Sequence, residues 1–173
     1  MYILDANVSI QAHRAHYGLD FVPGSWDCLG REHNLGVLAS VDSVKKELDS
    51  GKGALTIWEQ RRGVMFVQMD SATAPSLTQL ASWAATPANA YPQEAGAEFL
   101  GSADYQLVSY GHAHGHTVVT HEKADNLGTK KKIRIPGACH ALQVPPMDSF
   151  KMLRDEHARF ALGPKPVSSD KRS

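Results

Sequence analysis

Short apolar runs alternate along this chain with longer stretches in which apolar residues recur at helical spacing. Four of the short runs predict strands, at 2–4, 37–39, 64–67 and 117–120. Helical spacing predicts the elements between and after them, at 7–16, 25–34, 76–85, 95–110 and 147–161, with shorter helices around Val44, Leu55 and Ala138. Because strands and helices alternate, we expect a parallel sheet with helices on both faces.

Several helix boundaries are marked by polar, proline or glycine residues. Asn7 is suited to cap the first helix, and Pro23 is suited to begin the second. Gly101 and Ser102 mark a joint that divides the helical stretch 95–110 into two parts.

Length and composition indicate one globular unit. The 173 residues predict a single domain over 1–162, followed by a Pro-, Ser- and charge-rich tail at 163–173 that we expect to be flexible. The 18 acidic and 18 basic residues cancel, so a polyanionic partner would need a local basic patch.

The cellular setting is predicted from what the sequence contains. Cys28 and Cys139 lack metal-type spacing and are expected to be reduced, buried thiols. The first predicted strand begins at once, which indicates no signal peptide, and no apolar stretch approaches the length of a bilayer span. We therefore expect a cytoplasmic protein with no membrane partner.

Four acidic residues are predicted to gather at one edge of the sheet. Asp5 ends the first strand, where ligand sites form in open α/β sheets, and Glu122 lies just beyond the fourth strand. Glu47 follows the second strand on a helix. Asp104 shares the apolar stripe of its helix with Leu107, where an unpaired charge is costly.

Each acid alone has an ordinary structural explanation, as a helix cap or a solvated charge. Taken together, they favour a metal site. Carboxylates that converge without cysteine form a hard oxygen site suited to Mg²⁺ or Mn²⁺. Such ions activate water and steady the charge on a phosphodiester, so no Ser–His pair is needed.

Four segments carry a family resemblance. Over 1–161 the chain resembles the PIN-domain family, and the segments that carry the resemblance are M-Y-I-L-D-A-N-V, S-V-D-S-V-K-K-E-L, S-A-D-Y-Q-L-V-S-Y and H-T-V-V-T-H-E. The stretches D-F-V-P-G-S-W and K-K-K-I-R-I-P-G-A-C are closest to an uncharacterised PIN-like subfamily. The resemblance implies a three-layer α/β/α sandwich with a central parallel sheet. It also implies a Mg²⁺- or Mn²⁺-dependent endoribonuclease, often the toxin of a type II toxin–antitoxin pair.

The resemblance also assigns roles to individual residues. The catalytic and metal-binding quartet that it implies consists of Asp5, Glu47, Asp104 and Glu122. Asn7 and Thr120 match the polar supporting residues. The products would carry a 5′-phosphate and a 3′-hydroxyl.

One position departs from the family pattern. Glu122 stands where the family often has Asp, so Asp125 is a further candidate for completing the site. Whether one or two metal ions bind stays open.

Partner surfaces are less specific. Lys130, Lys131, Lys132 and Arg134 form the only dense basic cluster and would either contact RNA phosphates or lie on a solvated loop. Exposed apolar patches would suit a protein antitoxin or the second copy of a homodimer. The alternating histidines of 112–116 would either bind Zn²⁺ or favour a helix C-terminus.

Other functional classes fit less well. A dehalogenase-type phosphatase needs a second aspartate two positions after Asp5, where this chain has Asn7. A dinucleotide-binding turn needs glycines after the first strand, and none is present. A catalytically inactive PIN-like interaction module remains the alternative to the ribonuclease.

Overall fold

The computed structural model describes residues 1–16, 18–20, 22–51, 53–124 and 131–160. The strands are β1 (Tyr2–Leu4), β2 (Leu38–Val41), β3 (Phe66–Val67), β4 (Thr117–Val119) and β5 (Pro146–Met147). The helices are α1 (Ala6–Gln11), α2 (Pro23–Asn34), α3 (Asp42–Asp49), α4 (Ala54–Gln60), α5 (Ala74–Ala84), α6 (Gln93–Leu100), α7 (Ala103–Ala113), α8 (Ile135–Ala141) and α9 (Ser149–Asp155). A π-helical turn, Ala12–His16, continues α1.

The five strands form one parallel sheet in the order β3-β2-β1-β4-β5. In the central register, Ile3 pairs with Ala39 on one side and with Val118 on the other. Along the chain, β2 lies beside β1 and β3 lies beside β2. The chain then crosses to the opposite side of β1, where β4 pairs with it. The strand order therefore reverses between β1 and β4.

Helices cover both faces of the sheet, because successive strand residues point in opposite directions. Ile3 and Val118 join a core that includes Leu107 of α7, whereas their neighbours Leu4 and Val119 join a second core with side chains of α2 and α4. The predicted α/β/α three-layer architecture is confirmed.

Most predicted elements are present, with shifts at their ends. Pro23 begins α2, and the joint at Gly101 and Ser102 separates α6 from α7, both as predicted. The first helix is capped by Asp5 rather than by Asn7, because the Asp5 carboxylate accepts the Asn7 backbone N–H.

The predicted last helix, 147–161, is too long. Met147 instead belongs to β5, which the sequence analysis missed, and Asp148 caps α9. The helix ends at Asp155, and His157 has a left-handed φ of 52°, which a continuing helix excludes. The predicted tail at 163–173 lies outside the described residues.

Both cysteines are buried and free, as predicted. Among the helices that the structure describes, none combines the length and apolar character required to cross a bilayer.

Candidate functional site

The site is built where the strand order reverses. Asp5 follows β1 and Thr120 follows β4, so both lie at the C-terminal edge beside the crevice between these strands. Thr120 Oγ1 donates a hydrogen bond of 2.9 Å to Asp5 Oδ2, although the two residues are 115 positions apart in the sequence. This hydrogen bond ties the ends of the two central strands together.

Asp5 is a buried carboxylate with few partners for its charge. Only 2 % of its surface is exposed. Burial raises the pKa of Asp5 to about 6, against the opposing effect of hydrogen bonds from Thr120 and Asn7; the charge of Glu122 raises it further. A backbone N–H and a hydroxyl therefore orient this carboxylate without neutralising it.

Asp104 lies in the first turn of α7, directly after its cap. The Ser102 hydroxyl accepts the Tyr105 backbone N–H, which starts the helix and leaves the Asp104 carboxylate without a capping role. Burial is the main cause that raises the pKa of Asp104 to about 7. The negative charges of Asp5, Glu122 and Glu47, in that order, raise it further.

The other two predicted acids therefore act on Asp104 through space. Glu47 is an exposed residue of α3. Glu122 is half-buried and held at two points: its backbone N–H donates to Thr120 Oγ1 at 3.1 Å, and its Oε2 accepts the Ile135 backbone N–H at 2.8 Å. The fold thus brings the charges of Asp5, Glu47 and Glu122 within electrostatic range of Asp104.

The chemistry of these donors fits a hard divalent cation. The cluster offers carboxylate oxygens from different segments, and burial, reinforced by neighbouring negative charge, raises the pKa values of Asp5 and Asp104. Within the described residues, however, no three His, Cys, Asp or Glu side chains are grouped closely enough to hold a metal ion as they stand. Binding would therefore require these side chains to move closer together.

Basic residues lie beside the acids. Lys132 lowers the pKa of Asp104 and also pairs with Glu98 at 3.8 Å. Lys131 is exposed, and Arg134 precedes α8 as its cap residue. Part of the predicted basic cluster is thus close to the acidic site. Two other candidates, Lys130 and Asp125, lie outside the described residues.

Glu59 in α4 was not among the predicted site residues. This glutamate is fully buried, and neither of its carboxylate oxygens has a hydrogen-bond partner in the described part of the chain. It borders an internal cavity of about 10 Å³ that Asp5 and Ser40 also line. A signal was present, because Glu59 lies four residues after Leu55 on the apolar face of its helix.

The histidines of 112–116 have separate partners. His112 Nδ1 lies 2.8 Å from Ser76 Oγ, and His114 Nε2 lies 3.1 Å from Asp70. His116 stacks on His114 with ring centroids 5.7 Å apart. These contacts tie the tract to α5 and to the turn that precedes it.

Among known proteins, the chain matches one family model but no individual protein or structure. No curated protein and no solved structure matches the chain. One family model, described as "Domain of unknown function (DUF4411)", matches residues 2–160. This match spans nearly the whole chain, from β1 beyond α9, and the protein therefore belongs to that family.

Proposed function

We propose that this protein is a Mg²⁺- or Mn²⁺-dependent ribonuclease of PIN-like type that hydrolyses RNA phosphodiester bonds. The observation that carries the proposal is the position of Asp5 and Glu122, which share hydrogen bonds with Thr120 at the edge where the strand order reverses, within range of the charge of Asp104. Buried carboxylates that repel one another destabilise a fold unless a cation offsets their charge. Carboxylates whose mutual repulsion lowers the stability of the fold in this way are typical of functional sites.

The proposal assigns each residue a task. Asp5, Glu47 and Asp104 would hold one divalent ion, and Glu122 would help to hold a second. When bound, such an ion supplies Lewis acidity that activates water and offsets phosphate charge. Thr120 fixes the orientation of Asp5 through their 2.9 Å hydrogen bond. Lys132 supplies a positive charge for the RNA backbone beside Asp104.

A toxin role follows from the same activity. Within the proposal, the cleaved RNA is cellular and a protein antitoxin blocks the site until it is removed. Expression of the wild type in bacteria should arrest growth, whereas expression of an Asp5→Asn variant should not. Equal growth of the two strains would contradict the toxin role but not the ribonuclease.

A second candidate is a catalytically inactive PIN-like interaction module. Two observations favour it: no three potential ligands are grouped for metal binding among the described residues, and Glu122 Oε2 is engaged by the Ile135 backbone N–H. This candidate keeps the fold and the acidic edge but assigns them to partner binding.

RNA cleavage by purified protein separates the two candidates. Wild type with Mn²⁺ should cleave a pool of single-stranded RNA, and a chelator should stop the cleavage. Asp104→Asn should slow cleavage by more than about 100-fold, because even the outer residues of metal sites cost 10–100-fold. Asp155→Asn is the matched control, since Asp155 pairs with Lys151 on α9 and lies outside the site.

The outcomes are distinct. Cleavage by Asp104→Asn at the wild-type rate would overturn the ribonuclease. Calorimetric Mn²⁺ binding by the wild type, without cleavage of any RNA, would favour the inactive module.

A further inference from the structure

A second groove borders the acidic cluster. It has a volume of about 290 Å³ and lies between the π-helical turn and helices α3 and α4. Its walls include Glu47 from the acidic cluster and two residues of the turn, His13 and Arg14. The groove and the candidate site therefore share one wall.

The groove combines features that suit a nucleotide. Apolar side chains of Ile10, Leu48 and Leu55 line part of it and offer a surface for a base. Arg14 is exposed, and no ion pair engages it among the described residues. A guanidinium in this position can donate two parallel hydrogen bonds to a phosphate.

His13 forms part of the groove wall. Its ring packs edge-on against Trp26, with centroids 6.2 Å apart, which fixes the ring plane. Its buried Nδ1 has no hydrogen-bond partner in the described ranges. A buried ring nitrogen without a partner is costly, so the position of this ring in the groove wall is kept against that cost.

Size and charge narrow the ligand class. The volume is at the lower end of the range for small-molecule sites, which is room for a single nucleotide rather than a duplex. A polyanion bound in this groove lies beside the exposed carboxylate of Glu47, so a positive charge is needed there. Lys132 offsets charge beside Asp104, and Arg14 is a cation in the wall of the groove that also contains Glu47.

We propose that this groove binds one unpaired nucleotide of single-stranded RNA next to the scissile phosphodiester. Arg14 contacts its phosphate, and His13 forms part of the groove wall. The inference rests on the proposed ribonuclease activity and deepens it, because it assigns one nucleotide of the single-stranded substrate to a subsite beside the acidic cluster. A π-helical turn at this place is consistent with a functional role, since such turns are frequent at functional sites.

The test measures RNA binding apart from cleavage. In an Asp104→Asn background, fluorescence anisotropy of a labelled single-stranded RNA should show about tenfold weaker binding for Arg14→Ala. The slope of log affinity against log salt should fall by about 0.7, the value for one lost phosphate contact on a single strand. Circular dichroism should show an unchanged fold, because Arg14 is exposed.

Arg61→Ala is the matched control. Arg61 also lines a groove, but its groove includes His33 and Asn34, which lead into the N-terminal end of β2. That end is the opposite edge of the sheet from Asp5. RNA binding by Arg61→Ala should equal that of its parent.

Cleavage provides a second readout. In the wild-type background, Arg14→Ala should raise KM with kcat nearly unchanged, as expected for a contact made equally in ground and transition states.

Unchanged binding and KM would overturn the groove proposal while wild-type cleavage still supported the ribonuclease. Equal losses for Arg14→Ala and Arg61→Ala, or equal affinity for duplex RNA, would also overturn it. RNA binding that depends on Arg14 in a protein that cleaves nothing would support the groove and overturn the ribonuclease.

Discussion

At the scale of single residues, the acidic side chains differ in how their charge is held. Asp5 is oriented by a hydroxyl and a backbone N–H, and the Glu122 carboxylate by the Ile135 backbone N–H. Within the described residues, the Glu59 carboxylate has no such partner, although it is the most completely buried of the three. Its cavity of about 10 Å³ is just large enough for one water molecule.

Glu59 should make the stability of the fold depend on pH. Burial, with a smaller effect of the Asp49 charge, raises the pKa of Glu59 from 4.5 to about 7. A raised acid pKa means that the unfolded chain releases its proton first. The stability that the neutral Glu59 carboxyl group contributes to the fold is therefore fully present below about pH 4.5. It is lost as the pH rises to about 7.

Glu59→Gln removes this loss. We expect the variant to gain about 1–3 kcal/mol over wild type at pH 8 and little at pH 4, measured by urea unfolding. The exposed glutamate Glu94 of α6 provides the control, because its Gln variant should change stability by less than about 0.5 kcal/mol at either pH. A Glu59→Gln gain of the same size at both pH values would refute the linkage.

At the scale of elements, the position of α7 on the sheet depends on a close approach. A Cβ built on Gly111 would lie 2.9 Å from Val118 Cγ2 of β4, a buried side chain with little room to move. Glycine at this point lets α7 pack directly on β4. The same helix carries Asp104 at its other end, so this contact helps to set the depth of the acidic site.

Gly111→Ala should therefore destabilise the protein. Overpacking outweighs the better helix propensity of alanine, and we expect a net loss of about 1–2 kcal/mol in urea unfolding. Gly24→Ala in α2 is the matched control, because no atom in the described part of the chain lies within 4 Å of its added Cβ. The control should be neutral or more stable by about 0.4–1 kcal/mol. A stabilised Gly111→Ala would show that α7 can shift without cost.

At the scale of the whole molecule, the sheet brings together carboxylates that lie far apart in sequence. Without a divalent ion, the raised pKa values of Asp5, about 6, and Asp104, about 7, should make the protein less stable as the pH rises from about 4 to 7. A bound cation would reverse this dependence, because it binds only the ionised carboxylates.

Thermal unfolding with and without Mn²⁺ tests this coupling. At pH 8 and about 100 times its Kd, Mn²⁺ should stabilise the wild type by about 2.7 kcal/mol. The stabilisation should fade as the pH drops through the raised pKa values of Asp104 and Asp5, and Asp104→Asn should lose most of it at every pH. Equal Mn²⁺ shifts at pH 5 and pH 8 would argue against binding at these carboxylates.

Part of this structure was determined by the sequence alone. The alternation of short apolar runs with helical spacing predicted the parallel α/β arrangement, because such patterns reflect which residues along one element are buried. Asp5 could be placed at the sheet edge because it directly follows a predicted strand, and Thr120 because it ends one. The joint before Asp104 was equally local, since it depends on Gly101 and Ser102.

Only the tertiary structure decided the remaining features. The two-residue strand β5 begins with Pro146 and is recognisable only by its pairing with β4. The hydrogen bond from Ile135 to Glu122, the burial of Glu59 and the groove between Arg14 and Glu47 each join segments that are separate in sequence. Local propensity can position a residue on its own element, but distances and charge coupling between elements depend on how the helices pack against the folded sheet.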